Sequence, residues 1–180
     1  FPGAPSVPNG AAASRIGVGP GPAFVGQAIV DSAVALAGVD YRFGGEDPAT
    51  GVDCSGLVRF VFAQHQLAVP RTVAEQFAIG RSVGARELGA GDLLFFSTIG
   101  PGATHVGIAL GPSAPGQFVH APGTGSVVRV DRYDSKYWQD RFLGARRVLF
   151  DGCREAVQPL DHVEVGLPGA AADQRGNGDV

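Results

Sequence analysis

The apolar residues of this chain change their spacing at Gly91, and that change limits the kind of fold the chain can adopt. Upstream, Val25, Ala28, Ile29, Ala33 and Leu36 recur at the spacing of one helix face, and Gly38 supplies a stop. Asp53 stands where an N-cap belongs, and Cys54, Leu57, Val58, Val61 and His65 share one helical face after it. A third short helix is predicted from Val73 to Ile79, ending at Gly80. Downstream the pattern is that of strands. Residues 93–97, 105–110, 117–121, 127–130 and 147–150 are short apolar runs bounded by Gly, Pro and Ser. Helices first and strands second predict an α+β domain, with N-terminal helices packed on a mainly antiparallel sheet of five to six strands.

Composition supports a folded body with plainer ends. Of the 180 residues 44% are hydrophobic and 17% charged, enough apolar surface for a core. The net charge of −3 comes without a basic run, so a nucleic-acid or anionic-lipid footprint is not expected. The longest apolar stretch, residues 23–39, is broken by Gln27, Asp31 and Ser32, and no membrane span is expected. Gly and Pro crowd residues 1–22, which read as a flexible tether. Residues 23–150 read as the folded domain, and residues 151–180 as a partly disordered extension. The chain has no methionine, even at position 1, so an upstream segment removed by processing is expected. Two cysteines, Cys54 and Cys153, exclude a disulfide scaffold. Cys153 follows the turn signal Asp151-Gly152 and is expected at the domain edge, with no assigned role.

One cysteine and two histidines carry the chemical signal. Cys54 falls in the first turn of the helix capped by Asp53, where unpaired N–H groups favour thiolate over thiol. A titration below the free-thiol range is therefore expected. Gly56 removes a side chain and lets another backbone come close. His105 opens the strand His-Val-Gly-Ile-Ala-Leu, where alternation places it with Gly107 and Ala109 and leaves room for a facing helix. His120 ends the next strand, and a hairpin would bring it beside His105 to orient the first imidazole. Spacing alone leaves two readings open: three structural residues, or nucleophile, base and orienter. A zinc site built from the same three lacks both a fourth ligand and a close ligand pair. His65 and His162 read as structural or surface residues.

Along the chain stand, in order, Tyr41-Arg42-Phe43-Gly44-Gly45, Asp53-Cys54-Ser55-Gly56-Leu57-Val58, Pro70-Arg71-Thr72 with Gln76, and Gly91-Asp92-Leu93. Thr104-His105-Val106-Gly107-Ile108, His120-Ala121-Pro122, Tyr137-Trp138 and Gly144-Ala145-Arg146-Arg147 follow. This ordered set resembles the NlpC/P60 family of cell-wall cysteine peptidases. The resemblance spans about residues 25–150. It implies a reduced papain-like fold and thiol hydrolysis of bacterial peptidoglycan stem peptides, at the bond between D-γ-glutamate and a diamino acid. It implies Cys54 as nucleophile, His105 as base and His120 as third member of the triad. Tyr41, Asp53 and Ser55 are implied at the oxyanion or the substrate, Asp53 facing a substrate ammonium in some members. Arg71, Thr72 and Gln76 read as packing and loop hydrogen bonding. No metal or organic cofactor is implied. The expected partner is the stem peptide. The expected molecule is an exported monomer, periplasmic or wall-associated, whose leader or lipid anchor is absent from this chain. A related amidase or acyltransferase on a non-wall substrate, or an interbacterial toxin of the same chemistry, is the competing reading.

Overall fold

The computed structural model describes residues 22–148. Helix α1 (Pro22–Val34) is followed by a hairpin of β1 (Glu46–Asp47) and β2 (Gly51–Val52), which runs directly into α2 (Cys54–Gln64). Helix α3 (Val73–Ala78) opens on a capping box: Thr72 Oγ1 accepts from the Glu75 N–H, and the Glu75 carboxylate accepts from the Thr72 N–H. Strands β3 (Arg81–Val83), β4 (Leu93–Phe96), β5 (His105–Ala109), β6 (Gln117–His120) and β7 (Arg129–Arg132) come next. A single-turn helix, α4 (Lys136–Gln139), then leads into β8 (Phe142–Arg147). The last six strands form one sheet in the order β3-β8-β4-β5-β6-β7, every neighbouring pair antiparallel. The fold is α+β, with a sheet at the upper end of the expected strand number.

Both faces of this sheet are covered, which explains why β4 reads Leu-Leu-Phe-Phe and is buried throughout. Leu93, Phe95, Val106, Ile108 and Val119 face Ile29, Val30 and Ala33 of α1 and Leu57, Val58, Val61 and Phe62 of α2. Leu94, Phe96, Ala109, Phe118 and Ala145 face the other way and pack with Trp138 of α4. The ring of Phe96 lies 4.7 Å from Trp138 and 5.3 Å from Phe118, the tilted geometry aromatic pairs prefer. The small residues beside His105 belong to this second face. A Cβ on Gly107 would fall 2.4 Å from the Phe118 ring, so the space they leave is filled by an aromatic side chain and not by a helix.

Two strands sit elsewhere than their apolar runs predict. The fourth run, 127–130, is displaced to Arg129–Arg132 because Val127 and Val128 are already engaged. Val127 bridges to Asp40, and the Val128 N–H donates to the Val39 carbonyl at 2.8 Å, tying this segment to the chain after α1. The last strand, predicted over 147–150, runs over Phe142–Arg147, a stretch whose arginines mask its pairing. Arg147 bonds the buried Asp92 carboxylate at 2.7 Å, and Arg146 lies over the Phe77 ring. The tether, the C-terminal extension, Cys153 and His162 lie outside the described residues. Among the described residues no helix is long and apolar enough to cross a membrane.

Candidate active site

The start of α2 is held from three sides. Asp53 is extended (φ −91°, ψ 179°), and its Oδ1 accepts from the Gly56 N–H at 2.7 Å, capping the helix. Behind it lies the loop after Tyr41. The Asp53 N–H donates to the Gly45 carbonyl at 3.0 Å, and the Gly44 N–H donates to Asp53 Oδ2 at 3.0 Å. The same carbonyl would sit 2.0 Å from a Cβ at Gly56, so the glycine is a condition of this docking. From the third side Arg71 donates to both Asp53 oxygens, at 2.7 and 3.1 Å, and to Ser55 Oγ at 2.8 Å. Ser55 Oγ in turn donates to Asp53 Oδ1 at 3.2 Å. These donors fill the roughly four lone-pair sites a carboxylate offers. Burial pushes the Asp53 carboxyl up, but the Arg71 hydrogen bond and the Gly56 and Gly44 N–H groups outweigh it and hold the group below its ordinary range. The buried Gln76 amide donates to the Ser55 carbonyl at 3.1 Å and to the Pro70 carbonyl at 2.8 Å, fixing α3 beneath the same turn.

Cys54 itself is only 9% exposed. Burial pushes its thiol up to about 11, the reverse of the shift expected from a helix N-terminus. The N–H groups of Val106, Ser55 and Cys54 favour the anion, yet desolvation, reinforced by the Asp53 charge, wins. The Val106 N–H reaches the sulfur because α2 packs on β5. Tyr41 bridges to Val52 and is close enough for Cys54 and Asp53 to raise its hydroxyl pKa, after burial as the main cause.

The two histidines meet at the other side of β5. His105 Nε2 and His120 Nδ1 are 2.8 Å apart, with the rings edge to face at 86°. His120 is fully buried, and its Nε2 lies 3.0 Å from Asp131 Oδ2. Arg129 holds Asp131 in turn, with Nε 3.1 Å from each oxygen and Nη2 3.0 Å from Oδ2. Aromatic rings fix both imidazoles: Trp138 stacks on His105 at 5.4 Å and Phe118 on His120 at 4.4 Å. Burial drives His105 down to about 3, helped by His120, and drives His120 down to about 4 against the pull of Asp131. Burial thus disfavours the thiolate and both imidazolium forms. A cleft of about 390 Å³ opens beside this group, lined by Thr98, Ile99, His105, Pro122, Arg129, Asp131, Tyr137 and Trp138.

The expected Cys54, Tyr41, Asp53 and Ser55 thus gather at the head of α2, and His105 and His120 at the adjoining end of β5 and β6. His65 caps the C-terminus of α2 and bonds Ser32 Oγ at 2.9 Å, a structural placement. Sequence reasoning gives no site role to Asp131, and quotes Trp138 only within a motif. The alternation Arg129-x-Asp131 is a signal, but the apolar run puts its strand two residues early.

The NlpC/P60 family matches residues 38–147, more than half of the chain. The Gamma-DL-glutamyl hydrolase of Bacillus subtilis is 35% identical over 147 residues, covering 79% of this chain and 35% of that protein. The Escherichia coli protein named Murein DD-endopeptidase MepS/Murein LD-carboxypeptidase is 42% identical over 122 residues, covering 67% and 62%. Among solved structures, an NLP/P60 family protein similar to a lipoprotein, from Staphylococcus aureus, matches with a TM-score of 0.62 at 35% identity, covering 71% of this chain and 42% of that one. The chain thus spans about a third to three fifths of the length of the curated relatives named here.

Proposed function

The chain belongs to the NlpC/P60 family, and from that premise we propose that it is a cysteine endopeptidase of peptidoglycan stem peptides, cutting the D-γ-glutamyl–diamino acid bond. The observation that carries the reading is that the buried Cys54 thiol, at a capped helix start, meets the N–H of Val106, the residue next to His105 of the aromatic-clamped His105–His120 pair. In this reading His105 takes the Cys54 proton as the sulfur attacks the scissile carbonyl, and a thioester forms. Burial disfavours the charged form of both partners, so in this reading proton transfer is coupled to the attack. The developing oxyanion is met by N–H groups at the start of α2 and by the Tyr41 hydroxyl. His105 then returns its proton to the leaving amine and activates the water that releases the acyl group. Asp53, its oxygens already filled, acts as helix cap and anchor of Arg71, with Ser55 completing that network and no ammonium-binding work left for it. The relatives' names, glutamyl hydrolase and murein endopeptidase, support a wall substrate and an exported protein, periplasmic or wall-associated.

A second bond has support of its own, because the E. coli relative is named a DD-endopeptidase. Mass analysis of defined muropeptides separates the two. Cleavage of an uncrosslinked tripeptide or tetrapeptide on the carboxyl side of γ-glutamate is expected. Conversion of crosslinked dimers to intact monomers would assign the DD bond instead, and no cleavage of either substrate would overturn the peptidase reading.

A further inference from the structure

The contacts of the histidine pair do not end at His120. Resting on the reading of His105 as the base, we propose that Asp131 is a positioning residue that sets the tautomer of His105 from two residues away, through His120.

Each link follows from what the groups can donate. An ionised carboxylate only accepts, and Arg129, donating to both oxygens, keeps Asp131 in that form and in one orientation. The proton facing Asp131 Oδ2 across 3.0 Å is therefore the Nε2–H of His120. A neutral imidazole has one N–H, so Nδ1 of His120 carries the lone pair. That lone pair, 2.8 Å from His105 Nε2, accepts the Nε2–H of His105. His105 is left with its lone pair on Nδ1, the nitrogen free to take the thiol proton. His120 is fully buried, so water does not compete for either of its nitrogens. When Nδ1 gains a proton, the resulting imidazolium keeps its Nε2–H bond to His120, and the carboxylate at the far end offsets the charge. No proton has to travel along the chain. The β6–β7 register places the parts: His120 lies opposite Arg129 and Phe118 opposite Asp131, so the carboxylate reaches His120 on the diagonal.

The variant Asp131→Leu tests this with little change of volume. Asparagine would not serve, because the oxygen that faces His120, Oδ2, is also the one Arg129 Nη2 bonds, so the amide oxygen would stay there and accept from both. Leucine removes the acceptor, so nothing holds the His120 proton on Nε2, and His105 is released toward the Nδ1–H form, which cannot accept from the thiol. Two-bond ¹H–¹⁵N spectra of the ¹⁵N-histidine-labelled full chain read these tautomers directly. In the wild type the Nε2–H form of both His105 and His120 is expected, and in Asp131→Leu a mixture in which the Nδ1–H form of both is populated. With muropeptide as substrate, kcat is expected to fall about 10- to 100-fold with KM unchanged. A wild-type His105 found in the Nδ1–H form, or a variant with wild-type ring signals and kcat, would overturn the proposal. The wild-type spectrum decides the matter even if the variant does not fold. Absence of wild-type cleavage would count against the peptidase reading, while the spectrum still tests the tautomer assignment.

Discussion

Cys54 is pulled in opposite directions by two parts of its surroundings. The helix start and the Val106 N–H favour a thiolate, and a nearly dry interior favours the thiol. Only the helix start is local in sequence, visible as Asp53 before the cysteine. The Val106 N–H and the dry interior depend on β5, more than fifty residues away, closing over the turn, and no spacing pattern announces them. The same holds for the imidazoles: their neighbourhood followed from a hairpin, but their burial against Trp138 and Phe118 did not. The consequence is measurable. The rate of iodoacetamide alkylation of Cys54 is expected to rise with an inflection above the free-thiol value of about 8.5, because burial opposes the anion. An inflection below that value would mean that the thiol is held as an ion pair with His105. His105→Ala is expected to abolish turnover almost as fully as Cys54→Ala, and His120→Ala to leave a larger residue of activity, in steady-state assays.

At the scale of elements, the first half of the chain was the more legible. The helical faces, the Asp53 cap and the stop at Gly80 follow from local rules, and α1, α2 and α3 lie where those rules put them. The hairpin of β1 and β2 is too short for any period to show, and α4 is a single turn. Strands β7 and β8 were misplaced because contacts distant in sequence decide their positions: the bridge from Val127 to Asp40, and the buried ion pair from Arg147 to Asp92. The clearest element-level test is the seat of α2. Gly56→Ala places a methyl carbon 2.0 Å from the Gly45 carbonyl, so the loop or the helix must move. A loss of about 2–4 kcal/mol in urea unfolding is expected, together with a loss of turnover exceeding that from an alanine elsewhere on the exposed face of α2. Stability within about 0.5 kcal/mol of wild type would show that the loop is not docked as described.

For the whole molecule, burying two neutral histidines makes stability depend on acid. Both imidazoles titrate near 6.5 when unfolded and at about 3 and about 4 when folded. Between those values the unfolded chain binds more protons, so the contribution is undiminished above pH 6.5 and is lost as pH falls from there toward 4 for His120 and toward 3 for His105. The urea midpoint is expected to drop between pH 7 and pH 5, and a His105→Gln/His120→Gln variant to flatten that drop. A wild-type midpoint unchanged over this window would place the rings in solvent. The α+β class, with helices on one face of an antiparallel sheet, was readable from the order of periodicities alone. The second, aromatic face was not, because Phe96, Phe118 and Trp138 come together only when β4, β6 and α4 have assembled. The central claim is that Cys54 carries the acyl group. It is tested most directly by acid-quenching the enzyme during turnover of a γ-glutamyl–diamino acid muropeptide and weighing the intact protein. The wild type is expected to gain the mass of the acyl fragment, mapped to the peptide containing Cys54, and Cys54→Ala to gain nothing and cleave nothing. Cleavage by Cys54→Ala at the wild-type rate would contradict the thioester mechanism.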